Sequence, residues 1–209
     1  HGNTVTIYFP KYIGFGQSEI LGYNPARITT STFTKAVKKV IKKLDIIPDA
    51  LYGHFITPAG IAAARIGKEL NIPSFCAYGE STPWTIKHFG VKNTREELKV
   101  IDGVIAVSTY NKNELLELNV VEEEKIGVFP NGYRPERFYP RDKNKSREMF
   151  GLPKDKFIVS FVGSFDHRKG IERLIEAVEG LDDVYVICAG KGELTPNSDR
   201  CLYQGPVDH

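Results

Sequence analysis

No run of apolar residues in this chain approaches the ~18 that cross a bilayer, so no membrane-spanning helix is expected. Charge of one sign is equally scarce: 28 Lys and Arg stand against 26 Asp and Glu, a net of +2. So small an excess gives no field that would gather nucleic acid, and none is expected as a partner. Cysteine is sparse and odd in number. Cys76, Cys188 and Cys201 form no Cys-x-x-Cys pair, and no two histidines have ligand spacing, so no metal site is expected. Cys76 and Cys188 lie inside apolar runs and are expected as free thiols in a reducing cytoplasm. Internal repeats and low-complexity tracts are also missing. What is present is a globular composition, 41% hydrophobic and 11% aromatic, in 209 residues. That length exceeds one average domain and falls short of two full ones.

The chain alternates strand-like and helix-like segments. Strands are expected at Val5–Phe9, Ala50–Gly53, Pro73–Ala77, Gly103–Val107, Ile126–Phe129 and Phe157–Val162, with further apolar stretches at Cys188 and Cys201–Tyr203. Between them, Phe33, Ala36, Val37, Val40, Ile41 and Leu44 repeat at helical spacing. Pro58 to Leu70 reads as an alanine-rich helix, Thr94-Arg95-Glu96-Glu97 as a capping box opening another, and Ser108 as an N-cap. Pro130-Asn131-Gly132 is a strong turn signal. The proline-rich, charged segment from Tyr133 to Asp155 reads as a linker with one short helix near Ser146 to Phe150. Strands separated by helices of this length make βαβ units, with parallel sheets that bind ligands beyond the carboxyl ends of their strands.

One segment carries specific chemistry. The apolar run Phe157–Val162 stops at Gly163; the turn Ser164-Phe165-Asp166-His167-Arg168-Lys169-Gly170 follows. A helix then begins, with Ile171, Leu174, Ile175 and Val178 on one face. Strand, glycine turn, cation and helix N-terminus together hold a phosphate, because N–H groups, a helix dipole and a full positive charge converge there. A second charged feature lies on the helix of Phe33 to Leu44. Its other face carries Lys35, Lys38, Lys39, Lys42 and Lys43. Two readings stay open for that face: a solvated surface, or a peripheral contact with anionic lipid at the inner face of a membrane.

Taken in order, several segments resemble the retaining glycosyltransferases of family 4. They are Pro48-Asp49-Ala50-Leu51-Tyr52-Gly53-His54-Phe55, Ile72-Pro73, Tyr78-Gly79-Glu80, Asp102 to Ser108, Pro130-Asn131-Gly132 and Phe138-Tyr139-Pro140. Val162-Gly163 with Arg168-Lys169-Gly170, and Gly190-Lys191-Gly192, complete the set. The resemblance implies an α/β protein of GT-B type: two Rossmann-like domains with parallel sheets, facing each other across a cleft. Residues 1–140 would be the acceptor-side domain and 141–209 the linker helix and first part of the nucleotide-sugar domain. The implied activity is metal-independent transfer of a hexose, with retention, from a UDP- or GDP-sugar to a glycan or lipid-linked hydroxyl. The nucleotide sugar serves as substrate and no cofactor is needed. A role in polysaccharide biosynthesis would follow.

Site residues come from the same resemblance. Lys169 matches the lysine that grips the donor diphosphate, with Arg168 beside it. Gly163, Ser164, Gly190 and Gly192 fall on donor-binding positions, and Ser164 stands where the family often has arginine. On the acceptor side the candidates are His54, Tyr78, Glu80, Ser81 and Asn131; Tyr78 replaces a common histidine. Trp84 reads either as a sugar-stacking surface or as core. The family's N-terminal glycine-rich loop and its spaced pair of glutamates have no counterpart here. The resemblance therefore implies incompleteness at both ends and an inactive fragment. A sugar-nucleotide epimerase of similar architecture and a non-catalytic nucleotide-binding domain are the competing readings.

Overall fold

The computed structural model describes residues 4–15 and 24–207. The chain divides into two compact units between Gly132 and Tyr133.

The first unit is built on four parallel strands: β1 (Leu51–Gly53), β2 (Ser74–Tyr78), β3 (Gly103–Ala106) and β4 (Ile126–Val128), side by side in chain order. Helix α1 (Ala26–Leu44) precedes them. Helices α2 (Ile61–Leu70), α3 (Trp84–Phe89), α4 (Val91–Leu98) and α5 (Thr109–Glu117) fill the crossovers. Right-handed crossovers advancing in one direction put their helices on one face, and α2 and α4 do touch. β2 is the central element, with Ser74, Cys76, Ala77 and Tyr78 all buried. Its partners are Ile61 and Ala64 of α2, Ile86 and Phe89 of α3, Leu98 and Ile101 near α4, Val104 and Ala106 of β3, and Leu115 of α5. Each fully buried Ile or Leu contributes ~1.5–3 kcal/mol over its exposed state, an upper bound when the unfolded chain is compact.

Two expectations fail here. Val5–Phe9 forms no strand. The segment is irregular, and Val5, Ile7 and Phe9 are exposed. Alternation marks a strand only where a neighbouring strand is available, and among the described residues none lies beside it. Thr94 opens no helix either. α4 starts three residues earlier, after Gly90, and the Thr94 hydroxyl donates back to the Gly90 carbonyl at 3.1 Å. The other elements lie close to their expected places. Ser108 caps α5, its hydroxyl accepting from the Asn111 N–H.

The second unit has three parallel strands, β5 (Phe157–Val162), β6 (Val184–Ala189) and β7 (Cys201–Gly205), in that order. Helix α7 (Ile171–Glu179) links β5 to β6. Its Ile171, Ile175 and Val178, at i, i+4 and i+7, pack with Phe165, Val186 and Cys188. A short helix, α6 (Lys143–Met149), capped by the Asp142 carboxylate, lies ahead of the sheet. The buried Arg147 guanidinium donates to the carbonyls of Lys154 (2.7 Å) and Lys156 (2.9 Å), pinning α6 to the entry of β5.

Candidate functional site

In both units the candidate site residues lie at or just beyond the carboxyl ends of the strands. In the second unit, Gly163 ends β5 and the turn runs to Gly170. Gly170 sits at the N-cap of α7 with φ 80° and supplies no side-chain cap. The Asp166 carboxylate accepts from the Lys169 N–H at 2.8 Å, and the Asp166 carbonyl accepts from the N–H groups of Lys169 and Gly170. The turn is thus held by its own backbone while the Arg168 and Lys169 side chains stay exposed. His167 pairs instead with Glu172. A further cation, absent from the sequence reading, joins them. The Arg173 guanidinium folds back so far that a Cβ on Gly170 would stand 2.7 Å from it. Its signal was present as an arginine three residues into a helix that starts at a glycine.

Gly190 and Gly192 have a packing reason of their own. The Gly163 N–H donates to Ala189, the Gly190 N–H to Gly205 and the Phe165 N–H to Lys191. The first and third of these bonds lock the turns after β5 and β6 together, and the second ties the turn after β6 to the end of β7. A Cβ on Gly190 would stand 1.9 Å from the Gly163 carbonyl oxygen, and one on Gly192 2.3 Å from that of Phe165. Both glycines permit a backbone approach that shapes the turn. Ser164 lies within it, exposed.

In the first unit, His54 is exposed at the end of β1 and packs against Phe55, ring centroids 4.4 Å apart. Ser81 and Asn131 are exposed. Glu80 is half-buried, with the Thr85 hydroxyl 2.7 and 2.9 Å from its two oxygens. Trp84 is not a core side chain. It is 41% exposed and stacks on His88 at 4.6 Å. Trp84 and His88, with Thr29, Thr57 and Thr85, line a hollow of about 190 Å³.

Tyr78 departs most from its expected place. It is fully buried, and its hydroxyl donates to the buried Glu114 carboxylate on α5. Three residues earlier on the same helix, the buried Asn111 side chain donates to the Glu80 carbonyl at 2.8 Å. Tyr78 therefore anchors the end of β2 rather than offering a free hydroxyl. Burial first, and then the Glu114 carboxylate, push its pKa above the usual tyrosine value. The unfolded chain then loses this proton first. The contribution of Tyr78 to stability should be flat below pH ~10 and fall as pH rises beyond it. Tyr78→Phe would strand the Glu114 carboxylate and is expected to cost ~1–3 kcal/mol at neutral pH. It should also remove part of the alkaline decline. Denaturant midpoints from pH 7 upward check both, and unchanged midpoints would contradict the contact.

Among the described residues, no three His, Cys, Asp or Glu side chains cluster as metal ligands would, and no helix is long and apolar enough to cross a membrane.

Known proteins bear on this arrangement. A putative teichuronic acid biosynthesis glycosyltransferase of Bacillus subtilis is 31% identical over 153 residues, 71% of this chain and 39% of its own length. Among solved structures, a sucrose-phosphate synthase from Thermosynechococcus elongatus aligns with TM-score 0.68 at 20% identity, covering 87% of this chain and 50% of that one. Anabaena HepE in complex with UDP-glucose aligns with TM-score 0.61 at 18% identity, covering 88% and 53%. The UDP-GlcNAc 2-epimerase of Neisseria meningitidis, bound to UDP-GlcNAc, shares the fold at lower similarity: TM-score 0.51, 13% identity, 94% and 57% covered. The chain thus spans about half the length, or less, of the proteins it matches. The α/β units with parallel sheets are of the GT-B type. The family model for Glycosyltransferase Family 4 matches residues 1–137. With the Bacillus relative in agreement with that match, this chain belongs to Glycosyltransferase Family 4.

Proposed function

We propose that the protein transfers a hexose, with retention, from a UDP- or GDP-sugar to a hydroxyl of a glycan or lipid-linked acceptor, without a metal. The observation that carries this reading is the β5–α7 turn. An uncapped helix start, the exposed Arg168 and Lys169 and the folded-back Arg173 surround one backbone turn that is fixed before any ligand arrives. Bond cleavage at the anomeric carbon leaves negative charge on the departing diphosphate. Fixed cations and N–H groups lower that barrier because they need no reorganisation as the charge grows. Lys169 would carry most of this role, aided by Arg168, Arg173 and the Ser164 hydroxyl. Gly163, Gly190 and Gly192 would keep the turn open to the diphosphate. His54, Glu80, Ser81 and Asn131 are the acceptor-side candidates. The hollow beside Trp84, a largely apolar recess with an aromatic face, suits the apolar face of a sugar. No side chain in the sequence stands out as a nucleophile, so the acceptor hydroxyl would attack on the face the diphosphate leaves. The HepE complex with UDP-glucose supports a nucleotide-sugar donor by likeness of fold.

The fold likeness to a 2-epimerase keeps a second reading in view. Family membership favours the transferase. Calorimetric titration of this chain with UDP and with GDP is expected to give binding of one of them in about the micromolar range. Absence of binding to either would overturn the donor assignment. Epimerised nucleotide sugar formed without any acceptor would replace the transferase by the epimerase.

A further inference from the structure

Helix α1 has two unlike sides. Thr30, Thr34 and Ala36 are buried, and Phe33, Val37, Val40 and Leu44 are half-buried beside them. Across the helix, Lys35, Lys39, Lys42 and Lys43 are exposed, and among the described residues no acid pairs with them. Lys38 alone is engaged, with Glu69 of α2 at 2.5 Å. A solvated surface would account for the lysines. It does not account for what lies among them. The lysine side of α1 and the outer side of α2 enclose a groove of about 550 Å³, floored by Ile41, Ile46, Ile66 and Leu70. Ile46 is 50% exposed, and Ile47, just beyond the helix, is 89% exposed. Around the apolar floor Lys35, Lys38, Lys39 and Lys42 outnumber the acids Asp45 and Glu69, the latter paired with Lys38, and two bare isoleucines stand at its end; this matches a surface that is anionic outside and apolar within. Lysine stems can lie along such a boundary while their ammonium groups meet headgroups.

We propose that this side of α1, with the groove and Ile46–Ile47, docks on an anionic lipid bilayer. The near-neutral balance of the whole chain argues for a local patch rather than a general polyanion binder. The apolar floor argues against nucleic acid, which offers nothing for isoleucine to enter. The proposal is independent of the donor reading, because it uses none of the residues of the β5–α7 turn.

The test is sedimentation of this chain with vesicles of phosphatidylcholine alone and of phosphatidylcholine mixed with phosphatidylglycerol. The expected result is pelleting with the mixed vesicles only, weakened by salt as exposed charges become screened. Lys39→Glu/Lys42→Glu should weaken the partition at least ~10-fold, since each lysine near an anionic surface adds to it. Lys143→Glu/Lys145→Glu, an equal charge change on the exposed side of α6, should leave it nearly intact. Ile47→Asp, at a position too exposed to affect folding, should also weaken it. No pelleting with mixed vesicles, equal pelleting with neutral ones, equal losses for the two double variants, or no effect of Ile47→Asp would each overturn the proposal. UDP titration of Lys39→Glu/Lys42→Glu should match the unaltered chain, which separates failure here from failure of the donor reading.

Discussion

In a full-length enzyme carrying this chain, Lys169→Ala is expected to lower sugar-nucleotide turnover at least ~100-fold while leaving the fold in place. The two parts of that expectation rest on different atoms. The Lys169 N–H is held by Asp166, so the backbone position survives loss of the side chain. The side chain is exposed, and removing it should change stability by no more than ~0.5 kcal/mol. What is lost is a cation fixed where the leaving diphosphate gathers charge. A 100-fold loss corresponds to ~2.7 kcal/mol of transition-state stabilisation, the scale of one preorganised donor. If the interaction strengthens only as charge grows, kcat and kcat/KM fall together; if it serves ground-state binding, KM rises instead. Lys169→Arg should recover part of the rate. Near-normal turnover in Lys169→Ala would remove the β5–α7 turn from the chemistry.

Gly190→Ala is expected to destabilise the second unit by at least ~3 kcal/mol, among the larger effects of a single methyl group. The added carbon would stand 1.9 Å from the Gly163 carbonyl oxygen, which is backbone and has no rotamer to give. Gly190 has φ 153°, a conformation that side chains disfavour, and its N–H is committed to Gly205. Relieving the clash would break that bond or part the two turns. Gly180→Ala is the control, because nothing lies within 4 Å of its added carbon. Hydrogen exchange of the β5 and β6 amides measures the second unit directly, where a global melt would mix both units. Protection unchanged in Gly190→Ala would mean that the turns are not packed in this way.

Local pattern was legible where the physics is local. Ile171, Ile175 and Val178 announced α7, the apolar run at Phe157 announced β5, and Ser108 announced the start of α5. The misreadings share a cause: the deciding partner lies outside the short pattern that suggests the reading. Val5–Phe9 alternates like a strand, but alternation cannot say whether a neighbouring strand exists. Thr94 opens a capping-box pattern, yet Gly90 had already ended α3 and started α4. Tyr78 is an acceptor-side candidate by the resemblance alone, whereas its hydroxyl meets Glu114, 36 residues on. Arg147 sat in a segment that looked like a charged linker, and only the fold brings two carbonyls to its guanidinium. In the candidate site, the cations and glycines of the β5–α7 turn were visible as letters. The backbone contact between the turns after β5 and β6 was not, because nothing in either segment names the other.

Asn111 and Glu114 lie almost one turn apart on α5 and grip two points of one short span, Tyr78 by its hydroxyl and Glu80 by its carbonyl. That span is clamped from below, while Ser81, directly after it, is exposed. The loop therefore divides into a fixed base and a free rim. Tyr78 cannot be replaced without loss of a buried hydrogen bond and the backbone at residue 80 is held in place, whereas Ser81 and Thr82, both exposed, can be replaced with the base left standing. Should this loop meet the acceptor as proposed, the rim is where variation toward a new acceptor would cost the fold least.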